Sequence, residues 1–542
     1  MLSTMADVPL QVVRLLECAR LRPTSSLVTT AVPGGYRQAS YVDIAANAAR
    51  LAQALRALGV RPGDRVATFM WNNQEHVEAY FAVPSMGAVL HPLNIRLAAE
   101  QVARIANHAE DRVVIVDASL VAVFARILPA LRTVEHVVVT GPADPAALGG
   151  SARVALHGYQ QIISGQPDDY PWPDVDERDA AAMGYTAGTT GEPKGVVYSH
   201  RSICLHAVAL AHPEAFNLSA QDTMLVVLPQ FHVLGWGLPY TALQTGTSLA
   251  LPDRFVSPQP LAEFIAAARP NKAAGSPTIW RGLLSYVDAE LDADISSLTE
   301  IFVGGSALPA SLMQAYEQRH GIDLIHAWGM TEMSPLGTVA RPPAGIDAAQ
   351  AQLYRQSQGR FVGPVDARVV GSDGEPLPHN GYSDGEIEVR GPWITASYYR
   401  DDRPEQFHDG WLRTGDIGAI SPDGYLTLTD RAIDLIRSAG EWISTLEVEN
   451  HLMAHPAVRE AAVIGVPDSD SGERPLAAVV VDEGEQICFA ELRDFLAERV
   501  LHSHLPQWWT WLAEVPKTSV GRFDKNVLRQ QYAAGELDVQ LA

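Results

Sequence analysis

At 542 residues, with 47% apolar and 19% charged side chains, the chain exceeds what one hydrophobic core organises, and several subdomains are expected. A formal charge of −23 argues against a nucleic-acid or anionic-membrane surface, so any polyanionic ligand must meet a local positive patch. Cys18, Cys204 and Cys488 are too far apart to suggest a disulfide frame or a metal site, and they are expected as reduced, buried thiols. No apolar run reaches the about 18 residues of a membrane span. Asp7, Arg14 and Glu17 interrupt the apolar start, so no signal peptide is read and a cytoplasmic protein is expected. Lysine is scarce: only Lys194, Lys272, Lys517 and Lys525 occur.

In chain order, residues 45–58 have apolar spacing of helical period and stop at Gly59. A turn at 60–64 leads to a strand over 65–70, and the alternation continues: helix 75–86, strand 88–90, helix 100–108, strand 113–116. Such alternation predicts layered α/β architecture with largely parallel sheets.

The stretch Tyr185-Thr186-Ala187-Gly188-Thr189-Thr190-Gly191-Glu192-Pro193-Lys194-Gly195 then lies between apolar runs at 180–183 and 196–198, which reads as strand, loop, strand. Glycines let a backbone approach an anion, and successive N–H groups form a concave anion site. The hydroxyls of Thr186, Thr189 and Thr190 and the ammonium of Lys194 are donors suited to phosphate oxygens. A Walker loop is excluded because Gly195, not Ser or Thr, follows the lysine. Further on come Leu228-Pro229-Gln230-Phe231-His232-Val233-Leu234-Gly235-Trp236-Gly237 and Ala274-Gly275-Ser276-Pro277-Thr278-Ile279-Trp280. These are followed by Phe302-Val303-Gly304-Gly305-Ser306-Ala307-Leu308-Pro309 and His326-Ala327-Trp328-Gly329-Met330-Thr331-Glu332. Gly410-Trp411-Leu412-Arg413-Thr414-Gly415-Asp416, Asp430-Arg431 and Pro516-Lys517-Thr518-Ser519-Val520-Gly521-Arg522-Phe523-Asp524-Lys525 complete the set.

Together these stretches resemble the adenylate-forming superfamily of acyl-CoA synthetases, luciferases and adenylation domains, most nearly its acyl-CoA ligase branch. The resemblance implies a large α/β N-terminal body of several subdomains over 1–430 and a small mobile α+β lid over 431–542. The lid is expected as a strand at 433–436, a helix at 446–453, strands at 458–466 and 476–481 and a helix at 490–500. Nucleotide contacts are implied for Thr186, Gly188, Thr189, Thr190, Lys194, Gly305, Ser306, Ala307, Trp328, Gly329, Met330, Asp416 and Arg431. Trp328 would stack on adenine, and Asp416 would accept from the ribose hydroxyls. Thr331 would meet the α-phosphate, and Glu332 would hold Mg²⁺, a hard cation that uses few carboxylates. The acyl-pocket wall is expected from His232, Val233, Trp236, Trp280, Gly305 and Leu336. Ser438, Ala439, Gly440, Glu441 and Trp442 would face pantetheine.

Two positions depart from the family pattern. Arg522 stands where the lysine that bridges substrate carboxylate and α-phosphate is expected, and guanidinium is a wide planar fork rather than a point charge. Losing a positioned electrostatic contact of this kind costs about 10²–10³-fold in rate. The hinge position carries Ile433, stiff and β-branched, where Asp or Lys is usual. These departures predict an acyl-CoA ligase, with catalytic residues Thr331, Glu332, Arg522 and His232, that converts acyl-AMP and CoA to acyl-CoA and AMP. Its ATP-using half is expected to be weak or lost, and a separate adenylating enzyme would supply the acyl-adenylate. The alternatives are a complete ligase using ATP, CoA and Mg²⁺ with a small-molecule acid, transfer to a carrier-protein thiol, and a non-catalytic acyl-nucleotide-binding protein.

Overall fold

The computed structural model describes residues 3–21, 25–149, 153–186, 193–401, 404–438, 441–468, 471–482, 484, 487–518 and 521–542. The first sheet of the body has seven strands among these residues, in the order Ala155–Gly158, His136–Val139, Asp111–Val116, Arg65–Phe69, Val89–Pro92, Ala180–Tyr185, Gly195–Ser199. All its pairs are parallel except the last, a hairpin that brackets the threonine- and glycine-rich loop. Helices between these strands begin where the sequence offers caps. Ser40 and Asp43 form a reciprocal capping box at Tyr41–Ala57, and the Asn73 side chain accepts from the His76 N–H at Gln74–Ser85.

The second sheet is the larger. From Leu27–Val32 through Ser248–Leu251, Thr223–Val226, Lys272–Gly275 and Glu300–Gly304 to Asp323–Gly329 its neighbours are parallel. From Leu336–Val339 onward they are antiparallel, contrary to the expectation of largely parallel sheets. The reason is the connection length. Trp411–Ile420 and Tyr425–Arg431 are joined by a tight turn, which only antiparallel strands allow, whereas parallel strands need a helical crossover. One core, containing Leu55, Tyr80, Phe81, Tyr198, Tyr240, Trp328 and Trp393, fuses the two sheets.

Sheet membership changes between Arg431 and Ile436. Beyond it lies a small sheet built around the long pair Val458–Asp468 and Gly472–Val481, with helices Thr445–Met453 and Phe489–Ala497 on one face and Lys525–Ala533 on the other. The strand expected over 433–436 begins only at Ile436, because residues 432–434 turn between the two sheets. Of the cysteines, only Cys204 is buried; Cys18 and Cys488 are exposed, since each lies at an exposed position at a helix end. Among the described residues no helix is long and apolar enough to cross a membrane.

Four histidines are buried in the body and a fifth, His232, is recessed in the wall of a cavity, all with their pKa values pushed down by desolvation: His76, His200 and His326 to about 4, His206 and His232 to about 3. Each is neutral in the folded chain and regains an ordinary value near 6.5 on unfolding. At these five sites the unfolded state therefore binds more protons below 6.5, and the stability they contribute above that pH is lost as pH falls toward the folded values, offset in part by Glu78 and Glu449, whose pKa values burial raises to about 7. Thermal melting is expected to move steadily lower from pH 6.5 to pH 4. His206→Gln is expected to flatten the matching slope of unfolding free energy against pH, measured by denaturant titration, by about 1.4 kcal/mol per pH unit, one proton's worth.

Candidate functional site

The parallel strands of the large sheet end at one rim, where open α/β sheets place their ligands. Glu300–Gly304 runs into Gly305-Ser306-Ala307, with Gly305 at φ +90° and open space where a Cβ would stand, so a flat group can approach the backbone there. Next to it, Asp323–Gly329 delivers Trp328, Gly329 and Met330 and then a single helical turn at Thr331–Met333. Gly329 and Gly337 admit no side chain: a Cβ would stand 1.9 Å from the Pro335 carbonyl oxygen in the first case and 2.7 Å from the Trp328 ring in the second.

Two connected cavities open at this rim. The larger, about 500 Å³, is lined by Thr186, Lys194, His232, Val233, Trp236, Thr331, Glu332 and Leu336. The smaller, about 250 Å³, lies toward the lid and is lined by Ser306, Ala307, Asp416, Lys525 and Arg529. Gly305, Trp328, Gly329, Met330, Arg431, Ile433 and Arg522 border both. Gly188, Thr189 and Thr190 lie outside the described residues. The loop's two ends are closed on each other, Thr186 N–H donating to the Lys194 carbonyl at 2.9 Å. Gly195 leaves little room at the exit, since a Cβ there would stand 3.1 Å from both Tyr185 and Tyr399.

The Lys194 ammonium donates to Gln406 Oε1 at 3.1 Å and lies over the Tyr398 ring, whose hydroxyl donates to Glu332 Oε1 at 2.7 Å. Thr331 is fixed by its carbonyl, which accepts from the Tyr198 hydroxyl at 2.8 Å. Trp328 Nε1–H donates to Asp416 Oδ2 at 2.8 Å, and Arg431 Nε stands 3.4 Å from Asp416 Oδ1. The side chains implied for phosphate, metal and ribose are thus gathered along one cleft.

His232 and Trp236 lie on a segment the sequence did not foresee. Val233, Leu234, Gly235, Trp236 and Gly237 all have positive φ, a left-handed turn that costs L-residues about 1–2 kcal/mol each. The Trp236 ring packs on Gly304, where a Cβ would meet it at 2.7 Å. Trp280, expected in the same wall, is fully buried instead among Leu283, Tyr316 and their neighbours, and Ile279 lines the larger cavity. On the helix Pro277–Ala289 adjacent residues point about 100° apart, so only one of the two can face the cleft.

Arg522 reaches the cleft from the lid. A tight turn presents it, with Thr518 N–H on the Arg522 carbonyl at 2.7 Å and Arg522 N–H on Thr518 Oγ1 at 3.2 Å. Its Nε is shut away from solvent without a hydrogen-bond partner among the described residues. Burial first, then the Arg431 guanidinium, push its pKa down to about 10, opposed by Asp416 and Glu332. The Arg522 guanidinium and Arg96 in turn help hold His232 neutral, after burial. The two neighbouring lysines are committed elsewhere: Lys525 Nζ pairs with Glu449 at 2.7 Å and Lys517 Nζ with Glu460 at 2.9 Å. Contacts across the junction hold this lid position. Thr278 Oγ1 donates to the Gly521 carbonyl at 3.4 Å, Arg281 donates to the Arg459 carbonyl, and Thr445 Oγ1 donates to Asp430 at 2.7 Å.

Ser438 and Trp442 stand on a lid hairpin, Ile436–Ser438 with Glu441–Ile443, and line neither cavity in this position; Ser438 is buried, and Trp442 is exposed beneath Arg437. Ala439 and Gly440 lie outside the described residues, as does the Glu441 side chain. Ile433 is half exposed in the turn after Arg431. Arg96, Tyr398 and Gln406 line the larger cavity without having been singled out, because none of them lies in the motif stretches quoted from the sequence.

A family model described as "AMP-binding enzyme" matches residues 19–399, and one described as "AMP-binding enzyme C-terminal domain" matches residues 447–522. The chain is 40% identical to a 3-methylmercaptopropionyl-CoA ligase of Ruegeria pomeroyi, over 98% of this chain and 99% of that one. It is 39% identical to a medium-chain-fatty-acid–CoA ligase of Ectopseudomonas oleovorans, over 95% of this chain and 94% of the relative. Among solved structures, the anthranilate CoA ligase AuaEII in complex with anthranoyl-AMP superposes with a TM-score of 0.86 at 26% identity, covering 98% and 99% of the two chains. ATP-bound MatB from Rhodopseudomonas palustris superposes with a TM-score of 0.81 at 27% identity, covering 96% and 98%. The chain therefore belongs to the AMP-binding, adenylate-forming enzyme superfamily, in its acyl-CoA ligase branch.

Proposed function

We propose that the chain is a complete ATP-dependent acid–thiol ligase, with a body over 1–430 and a lid over 431–542, in which Arg522 does the work of the family lysine. The observation that carries this is the position of the Arg522 guanidinium, between the two cavities, with a buried Nε that has no partner among the described residues. A buried donor without a partner is costly, and an anion in the cleft relieves it. The expectation of a lost ATP half-reaction rested on the lysine-to-arginine exchange at 522 and on Ile433 at the hinge, and neither is a contact seen to be missing from the cleft. The geometry and the named CoA ligases among the relatives favour the complete ligase.

In this reading the acid's carboxylate oxygen attacks the α-phosphorus of ATP, the bond to the β-phosphate oxygen breaks, and pyrophosphate leaves. Arg522 donates to the attacking carboxylate and the α-phosphate, which draws two anions together and offsets the charge that builds at phosphorus. Thr331 donates to the α-phosphate, and Lys194 meets the outer phosphates. The carboxylate of Glu332, already oriented by Tyr398, fits Mg²⁺, which would neutralise charge on the pyrophosphate when bound. Asp416 holds the ribose. The CoA thiol sulfur then attacks the acyl carbonyl carbon, the bond to AMP breaks, and the thiol proton is lost to solvent. His232, neutral above about pH 3, serves as a wall and not as a charged anchor. Leu228, Val233, Trp236, Ile279 and Leu336 make the acyl side apolar, which suits an aliphatic monocarboxylic acid.

ATP–pyrophosphate exchange driven by medium-chain acids is expected in the wild-type chain. Arg522→Ala is expected to lower exchange by about 10²–10³-fold while conversion of preformed acyl-adenylate and CoA falls less than about fivefold. Conversion of preformed adenylate without any exchange in the wild type would restore the ATP-independent reading.

Gly304→Ala would drive a methyl group against the Trp236 ring and, at 2.8 Å, against the Ala327 carbonyl oxygen. The acyl wall must move, and KM for the acid is expected to rise about tenfold with a smaller change for ATP, as steady-state kinetics with each substrate varied will measure.

A further inference from the structure

We infer that Trp328 is a positioning residue for the nucleotide sugar: its indole N–H holds the Asp416 carboxylate in the one orientation that accepts from ribose hydroxyls. The inference rests on the reading of the cleft as an ATP site. Aromatic stacking needs only a flat ring, and phenylalanine or tyrosine would supply it. An indole adds one donor at the ring edge, and here that donor reaches Asp416 Oδ2 at 2.8 Å from a chain position 88 residues away. Arg431 stands 3.4 Å from the other oxygen, and Asp416 N–H is tied to Thr414 Oγ1 at 3.1 Å, so the carboxylate's two faces and its backbone are each restrained.

The ring itself has little room to drift. Gly337 leaves space for it where any Cβ would collide at 2.7 Å, and Phe361 packs edge-on at 6.1 Å. Both Trp328 and Asp416 are buried, with less than a tenth of their surface exposed, so the hydrogen bond is shielded from competing water. A carboxylate oxygen has two acceptor directions. The indole occupies one on Oδ2 and leaves the remaining lone pairs of the fixed carboxylate for the vicinal hydroxyls. A sugar without those hydroxyls gains nothing from this arrangement, whereas stacking of the base is the same for either sugar.

The test is calorimetric binding of ATP and of 2′,3′-dideoxyATP to the full chain, in the wild type, Trp328→Phe and Trp328→Tyr. Both replacement rings are smaller than indole and fit the slot, so one variant serves if the other misfolds. The wild type is expected to prefer ATP at least about tenfold. Each variant is expected to lose about tenfold for ATP, the size of one hydrogen bond to a charged acceptor, and less than about twofold for the dideoxy nucleotide. Equal weakening of both nucleotides would reduce Trp328 to a stacking wall, and an unchanged preference for ATP would deny it any influence on Asp416. Either result overturns the inference and leaves the ligase reading standing. Failure of the wild type to bind either nucleotide overturns the ligase reading itself.

Discussion

The carboxylate of Asp416 is the point on which the cleft converges. It accepts from Trp328 on one strand of the large sheet, faces Arg431 at the last residue of the body's sheet, and supports by its charge the protonated state of Arg522 from the lid. Three segments that meet nowhere in the sequence are held by a single buried negative charge. The Arg431 guanidinium repels that of Arg522 and, after burial, lowers its readiness to carry charge. Asp416 and Glu332 between them offset that repulsion, and an anionic ligand offsets it further.

The distribution of lysine follows the same logic. Four lysines serve the whole chain, and none is left at random on the surface of this site. Lys272 is buried against Glu300 and two backbone carbonyls, Lys517 and Lys525 are locked into the lid, and Lys194 faces the larger cavity beside Tyr398. The lid therefore brings to the cleft a guanidinium, whose charge survives desolvation better than an ammonium and whose planar fork can meet two oxygens at once. That property bears directly on a site where a carboxylate and a phosphate must be held together.

Strain gathers at the same rim. The left-handed turn at Val233–Gly237 places a β-branched valine and a tryptophan where glycine is at ease, and the surrounding structure over-determines it. Asn72 bonds the carbonyls of Val226 and Leu228 and accepts from Gln230 N–H, and Gly304 yields the space that the Trp236 ring takes. Without such anchoring the segment would relax toward ordinary helix and the cavity would lose its wall.

Much of the body was legible in the order of residues. Apolar spacing of helical period located the helices, and the alternation of helix with short apolar runs marked the parallel strands, because both signals are local. The motif resemblance likewise pointed to Thr331, Glu332, Asp416 and Lys194, since each lies in a short contiguous stretch that can be matched residue by residue. The antiparallel half of the large sheet, the burial of Trp280 behind Ile279 and the left-handed turn carrying Trp236 were not legible, because distant packing decides them. Arg522 marks the boundary most clearly. Its identity as a departure is written in the sequence, but its consequence depends on where the lid sets it, and only the tertiary structure places that residue between two cavities with a buried nitrogen that has no partner among the described residues.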